Sequence, residues 1–387
     1  MTTVVHQGRY GEGGMQDRRH AVLGPDDLIK GGGGYFDIRR VVDEATRNKR
    51  ILPVPVLSVL NGSMITPKEW TNKPEKMAEV TSRIISILHP PLALLPMEFT
   101  AFPATYGLER QYPKGQPVQT FPSKLSIEEA ARRVETLPDL EGTPLGVRLA
   151  ALEMLHRGYP NQLLGDYVPG SFAFAALLAK SDEVMVDAYT YKGPGDGSPI
   201  DKLFSNYVDR SIDVARLIVK KGAKVVVILE PTATGDILRK ETFDKMLPYT
   251  TRMVEGIHDA GATAVLHVCG FTKDNAGSMA KSGADIISMD CRSKKSSEKV
   301  VATLDDIRDV LRVVKKAGKG VRLMTGLQTP EIEGWTLNQV RDSTKELIEI
   351  AREHPDIFIM SSTCEMPEKV PVGHIQEHLR MVRAARR

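Results

Sequence analysis

Cysteine is scarce in this 387-residue chain: Cys269, Cys291 and Cys364 are the only three. Three scattered thiols give no disulfide framework. The fold must therefore rest on apolar burial, and the thiols are left for packing or chemistry in a reducing compartment. No run of about 18 apolar residues occurs, which argues against a membrane-spanning helix. The first residues, Met1 to Gln7, lack the basic segment and apolar core of a secretory signal, so a cytoplasmic protein is expected. A strong charge of one sign is missing too. Lysine and arginine number 52 against 49 acidic residues, a formal net charge of +3, and the two signs are interspersed. That balance argues against nucleic acid as a partner, and the locally basic stretch from Arg380 to Arg387 reads as a solvated helix end.

What the chain does have is 41% hydrophobic content, ordinary for a globular protein with a sizeable core. Residues 1–34 stand apart, being polar and glycine-rich and ending in Gly31-Gly32-Gly33-Gly34. Gly8, Gly11, Gly13 and Gly14 look superficially like a phosphate loop, but no strand precedes them, which removes the dinucleotide reading. The segment is expected to be a flexible arm, or an arm packed on a second copy in a homo-oligomer.

From Tyr35 onward, helix and strand patterns alternate. Helices are expected over residues 37–48, 67–88, 126–136, 144–158, 200–221, 242–260, 273–282, 304–317, 337–354 and 374–385. Strands are expected over 51–57, 92–99, 162–168, 223–229, 264–268, 284–290, 321–326 and 357–360, with 102–121 a long loop. The strands are continuous apolar runs, as in strands buried on both faces of a parallel sheet. Eight such units in residues 35–387 fit one catalytic domain, a closed (β/α)8 barrel of the TIM type; a doubly wound open sheet is the alternative.

Barrel enzymes carry their working residues at the C-terminal ends of strands. On this assignment Glu98, Glu230, His267, Cys269, Asp290, Gln328 and Cys364 fall at or just past such ends. His267 and Cys269 are two apart, so on an extended strand they project together, and an imidazole beside a thiolate is half of a zinc site. Cys364, after the apolar run Ile357-Phe358-Ile359-Met360, is the natural third soft ligand. Three protein ligands and an open fourth position are the pattern of a catalytic zinc. The competing reading is a buried histidine beside a packed thiol. Cys291 reads as a core thiol without a role. Glu230 reads as a resting-state zinc ligand, a base near the substrate, or a loop carboxylate with no task. Asp290 reads as a substrate-contacting carboxylate or a cap. Glu365 reads as a neighbour of the site or an exposed residue, and His374 with His378 as a surface pair. Tyr106, Tyr167, Phe172, Tyr189 and Phe271 serve equally well as pocket wall or core.

Five stretches carry a resemblance: Gly165-Asp166-Tyr167-Val168-Pro169-Gly170-Ser171-Phe172, Glu230-Pro231 through Asp236, His267-Val268-Cys269-Gly270, Ser288-Met289-Asp290, and Cys364-Glu365-Met366-Pro367. Together they resemble the uroporphyrinogen decarboxylase superfamily, and within it the zinc-dependent, corrinoid-linked methyltransferases, over about residues 36–385. The resemblance implies a (β/α)8 barrel and zinc on His267, Cys269 and Cys364; Glu230 and Asp290, read from their strand-end positions, are the catalytic candidates. The resemblance also implies a corrinoid (cobalamin) presented by a separate protein. The corrinoid-binding fingerprint Asp-x-His-x-x-Gly is absent, since none of the nine histidines has both an Asp two before it and a Gly three after it.

Two departures shape the functional expectation. The decarboxylases carry an arginine-rich loop after the first strand, whereas Val56 to Met64 here has no arginine. A metal-free decarboxylase is therefore the weakest of the readings. The relatives that methylate coenzyme M have Asp-Pro where this chain has Glu230-Pro231, and glycine where it has Glu365. The chain is accordingly expected to be an O-demethylase, moving a methyl group from a small methoxylated aromatic compound to the Co(I) corrinoid of a partner protein. The alternative is a methylcorrinoid:thiol methyltransferase of the coenzyme M type. A barrel that only binds a corrinoid partner, without turnover, is a further reading.

Overall fold

Helix starts are written into this chain as capping signals. Ser126 with Glu129 and Thr336 with Gln339 form reciprocal capping boxes, each satisfying two backbone N–H groups that a helix leaves open. Thr143 and Ser198 cap helices whose first residue is proline, where the missing N–H costs nothing. The structure, a computed structural model, describes residues 54, 63–114, 116–292, 303–317, 320–329 and 331–385. The outer layer includes α1 (Pro74–Leu88), α2 (Pro144–Gly158), α3 (Ser171–Leu178), α4 (Pro199–Lys220), α5 (Lys240–Asp259), α6 (Leu304–Ala317), α7 (Leu337–Glu353) and α8 (Val372–Ala384). The expected helix over 67–88 is two, Pro67–Trp70 and α1, because Pro74 has no N–H to continue the first.

The strands are β1 (Leu92–Leu94), β2 (Arg110–Gln111), β3 (Gln119–Thr120), β4 (Leu163–Pro169), β5 (Val225–Leu229), β6 (Thr263–Val268), β7 (Ile286–Met289), β8 (Arg322–Leu327) and β9 (Phe358–Ser362). β2 and β3 pair as a small antiparallel hairpin, and with the helix Ala101–Thr105 they order the region expected to be loop. The other seven form one sheet, every pair parallel, in the order β1-β4-β5-β6-β7-β8-β9. Such pairing between neighbours in sequence requires each helix to cross back over the same face.

Alternation along the strands sorts their side chains into two bodies. Leu94, Leu163, Val227, Val265, Ile286, Met324 and Ile359 meet in one apolar cluster together with Val54. The alternate residues, such as Leu164, Val226, Leu266, Ile287, Leu323 and Met360, pack in a second cluster with the helices. A cluster drawn from all seven strands, with no helix residue in it, is the interior of a barrel; an open sheet would bury both faces under helices. Val54 N–H donates to Met360 O at 2.8 Å, on the side of β9 away from β8. It belongs to the expected strand over 51–57, whose other residues lie outside the described ones, as do the expected arm over 1–34 and helix over 37–48. Apart from Met64 and Ser63, the Val56 to Met64 stretch lies outside them too.

β8 and β9 approach closely where Gly326 faces Ser361. A Cβ on Gly326 would collide with the Ser361 backbone carbonyl, which has no room to yield. Gly326→Ala should lower the melting temperature sharply, with a cost of about 2 kcal/mol or more. Gly373→Ala, on α8 with open space around it, should be neutral or slightly stabilising. A thermal melt of both variants checks this, and equal melting temperatures would contradict the tight strand approach.

Candidate metal centre at the barrel mouth

β6 ends in His267 and Val268, and Cys269 follows immediately. His267 and Cys269 share the inward parity of Val265, so both turn to the barrel axis. The chain then bends at Gly270, whose φ of +68° favours glycine. A side chain there would also meet the Thr234 hydroxyl at 2.6 Å, so the turn is pressed against the segment that follows β5. Gly235 N–H seals that contact by donating to Phe271 O at 3.1 Å. Cys364 arrives from β9, its loop held by Thr363 N–H on Leu327 O at 2.9 Å.

The three side chains converge. His267 Nε2 lies 3.1 Å from Cys269 Sγ and 3.5 Å from Cys364 Sγ, and the two sulfurs are 3.3 Å apart. Both cysteines are free thiols. Ligands on a tetrahedral zinc, with bonds of about 2.0–2.3 Å, sit roughly 3.6–3.8 Å apart. The observed spacings are a few tenths of an ångström shorter, so a small outward movement admits the ion. One imidazole and two thiols also suit zinc by softness. Among the described residues no other group of His, Cys, Asp or Glu has such a spacing. His267 Nδ1 lies 2.9 Å from Ser288 Oγ on the adjacent strand, where the two residues are register partners. With the proton on Nδ1, that contact turns a bare Nε2 toward the sulfurs. The thiols respond to each other. Cys269 donates to Cys364 and, with His267 nearby, holds Cys364 well below the usual thiol range. The same contact pushes Cys269 upward, burial adding to it.

The carboxylates expected to work here have other partners. Glu230, 3% exposed at the end of β5, turns to the start of α3 and accepts the N–H groups of Phe172 at 3.2 Å and Ala173 at 2.6 Å, with Thr232 Oγ1 at 3.1 Å. It is thus a cap supplied from another strand, which the empty side of Gly170 makes room for. Burial pushes its carboxyl up to about 7 against the downward pull of those donors. Asp290 is buried and held by Arg292, whose N–H and Nε donate at 3.0 and 2.7 Å. Arg292 also reaches Glu331 at 3.4 Å and lies over the Phe271 ring. Glu98 is turned onto Thr100, and Gln328 is buried with its amide N–H on Gly326 O at 3.3 Å. Cys291 is fully buried in the outer cluster. Glu365 lies at the site, its carboxyl pushed well up by burial and then by Cys364. His374 and His378 are not a surface pair: His378 is buried, with Nδ1 3.0 Å from Thr344 Oγ1, because α8 packs that face on α7. Ser288 stands in one of the resembling stretches, but sequence reasoning gave it no role. Its local signal was a polar residue breaking the apolar run of β7 directly across from His267.

A closed parallel α/β barrel with a soft-ligand centre at the C-terminal mouth defines a class of enzyme scaffold, and the comparisons refine it. Residues 61–385 match the uroporphyrinogen decarboxylase (URO-D) family, and the chain belongs to that family. A curated relative, methylcobamide:CoM methyltransferase MtbA of Methanosarcina acetivorans, is 22% identical over 311 residues, 78% of this chain and 82% of that protein. MtbA of Methanosarcina mazei is 25% identical over 226 residues, 56% of this chain and 63% of that protein. Among solved structures, a methyltransferase from Methanosarcina mazei superposes with a TM-score of 0.70 at 17% identity, covering 89% of this chain and 98% of that one.

Two measurements test the site. Ser288→Ala should weaken zinc binding by about 10–100-fold in chelator competition while leaving the fold intact. Unchanged affinity would detach Ser288 from the centre. Glu230 bears on stability instead. Its folded-state pKa, raised to about 7 from the ordinary 4.5, means that its contribution is full below pH 4.5 and is lost as pH rises through 7. The loss is on the order of 3 kcal/mol. At fixed metal occupancy, wild-type stability should therefore fall from pH 5 to pH 8 relative to Glu230→Gln, followed by denaturant melts at each pH.

Proposed function

We propose that this chain is a corrinoid-dependent methyltransferase in which His267, Cys269 and Cys364 hold a zinc ion. The convergence of those three ligand atoms from β6 and the β9 loop carries the reading. The MtbA relatives support it, and they favour a small thiol as methyl acceptor over a methoxylated aromatic as donor. When bound, the zinc would act as a Lewis acid, lowering the pKa of a thiol placed at its open position or polarising an ether oxygen there.

The chain's own residues supply the rest. Ser288 fixes the His267 ring, and the Gly270 turn against Thr234 fixes Cys269. The apolar interior beneath the site excludes water from below. A separate corrinoid protein would dock at the mouth, since the chain has no corrinoid fingerprint of its own. Residues 35–387 would form the catalytic unit. Asp290, locked to Arg292, would shape the mouth rather than move protons. One observation favours the methoxyarene reading as a second possibility: Met97 and Phe99 pack above the interior cluster and offer an apolar wall to an aromatic ring.

The deciding experiment supplies the purified chain with a methylated corrinoid protein and a small thiol, and in parallel with the Co(I) form and a methoxybenzoate. Zinc content is measured on the same preparation. We expect about one zinc per chain, loss of zinc and of transfer in Cys269→Ser, and turnover in the thiol arm. Turnover confined to the methoxybenzoate arm would select the second reading. Metal-independent activity would sink both.

A further inference from the structure

The sequence leaves five aromatic side chains undecided between pocket and core, and the structure separates them. Tyr106 and Phe172 pack in the outer cluster, Tyr189 is exposed, and Phe271 lies against Arg292. Tyr167 alone of the five belongs to the barrel interior, where it sits on β4 beside Val227 of β5. It is 4% exposed, and its hydroxyl has no hydrogen-bond partner among the described residues. Leaving a buried hydroxyl unpaired costs about 1–3 kcal/mol. Folded proteins rarely accept that cost without a reason. Through Val227 the register sets Tyr167 level with Val265, one inward position below His267, so the ring lies in the layer beneath the metal ligands. The Tyr106 hydroxyl is also unpaired, but its ring packs in the outer cluster, edge-on to Phe174, away from the barrel interior.

Gln328 is a second, independent orphan. It follows β8 on the inward parity of Met324, is 4% exposed, and its amide oxygen is likewise unpaired. On the inward parity of the strands lie an unpaired O–H and a bare amide oxygen, the equally unpaired Thr234 hydroxyl being turned to Gly270, while Met97 and Phe99 supply apolar surface. A ligand satisfying both polar groups must accept and donate. A hydroxyl does both; an ether, thioether, sulfonate or carboxylate only accepts.

We propose that Tyr167 is a substrate-binding residue whose hydroxyl hydrogen-bonds a free hydroxyl group on the small molecule that enters the metal centre, Gln328 completing the recognition. The identity of that molecule rests on the methyl-transfer reading. A hydroxylated thiol and a hydroxylated methoxyarene share the required chemistry.

The test measures binding, by calorimetry and by the shift in melting temperature, on the zinc-loaded full chain. The probes are matched pairs, 2-mercaptoethanol with ethanethiol and 2-methoxyphenol with methoxybenzene, each differing only by the hydroxyl. Wild type should prefer the hydroxyl-bearing member of one pair by about 10-fold, the value of one net hydrogen bond. The pair that shows it tells thiol from aryl ligand. Tyr167→Phe should lose the preference yet melt no lower than wild type without ligand, because the hydroxyl it removes had no partner. A preference that survives in Tyr167→Phe, its absence from both pairs in wild type, or a ligand-free Tyr167→Phe that melts several degrees lower would overturn the proposal. Binding is read without turnover, so failure of methyl transfer in wild type would count against the reaction and not against this contact.

Discussion

Everything at the mouth of this barrel depends on the parallel register of β6, β7, β8 and β9. Because His267 pairs with Ser288, Ser288 with Met324, and Met324 with Ile359, the strand ends finish at set heights around the axis. Cys364 then needs only two residues beyond β9 to bring its sulfur within 3.3 Å of one that precedes it by 95 positions. A slip of one residue in any of these pairings would turn inward side chains outward and dissolve the centre. The glycine at position 326, with its neighbour Ser361 pressed against it, guards that register one step before the last pair, Leu327 with Ser362.

The same geometry sets the electrostatics. Two thiols and an imidazole share a small, largely buried space, and two thiolates 3.3 Å apart would repel strongly at low dielectric. Without a cation the conflict is eased when one sulfur keeps its proton and bonds the other, a contact that draws Cys364 down and pushes Cys269 up. A divalent ion removes the conflict, since it lets both sulfurs ionise and leaves the imidazole neutral. The arrangement is thus one whose charge balance a bound metal would complete.

Much of this was legible in the residues. Apolar runs located seven described strands, and the helix over 304–317 has the expected ends. The convergence of His267, Cys269 and Cys364 was readable because alternation on a strand is rigid and because soft side chains are few: with three cysteines in the whole chain, there was little to choose among. Less visible were features set by tertiary neighbours. Ser288 matters only because β7 lies against β6, and no local pattern says so. The burial of His378 depends on α8 meeting Thr344 of α7, although four-residue spacing on a polar helix suggested a surface pair.

Glu230 shows where reading by position reaches its limit. It occupies the same address as the working residues, one step past a strand end, and its backbone N–H even bonds His267 O at 2.9 Å. What redirects its side chain is a cavity sixty residues away in sequence, the bare Cα of Gly170, next to two N–H groups that α3 leaves unpaired at its start. A carboxylate beside a helix N-terminus is drawn there by donors and dipole together. A strand end fixes where a side chain begins; the donors around it decide where it goes. By the same logic the Tyr167 hydroxyl, with no donor or acceptor among the described residues, would be left for whatever enters the barrel.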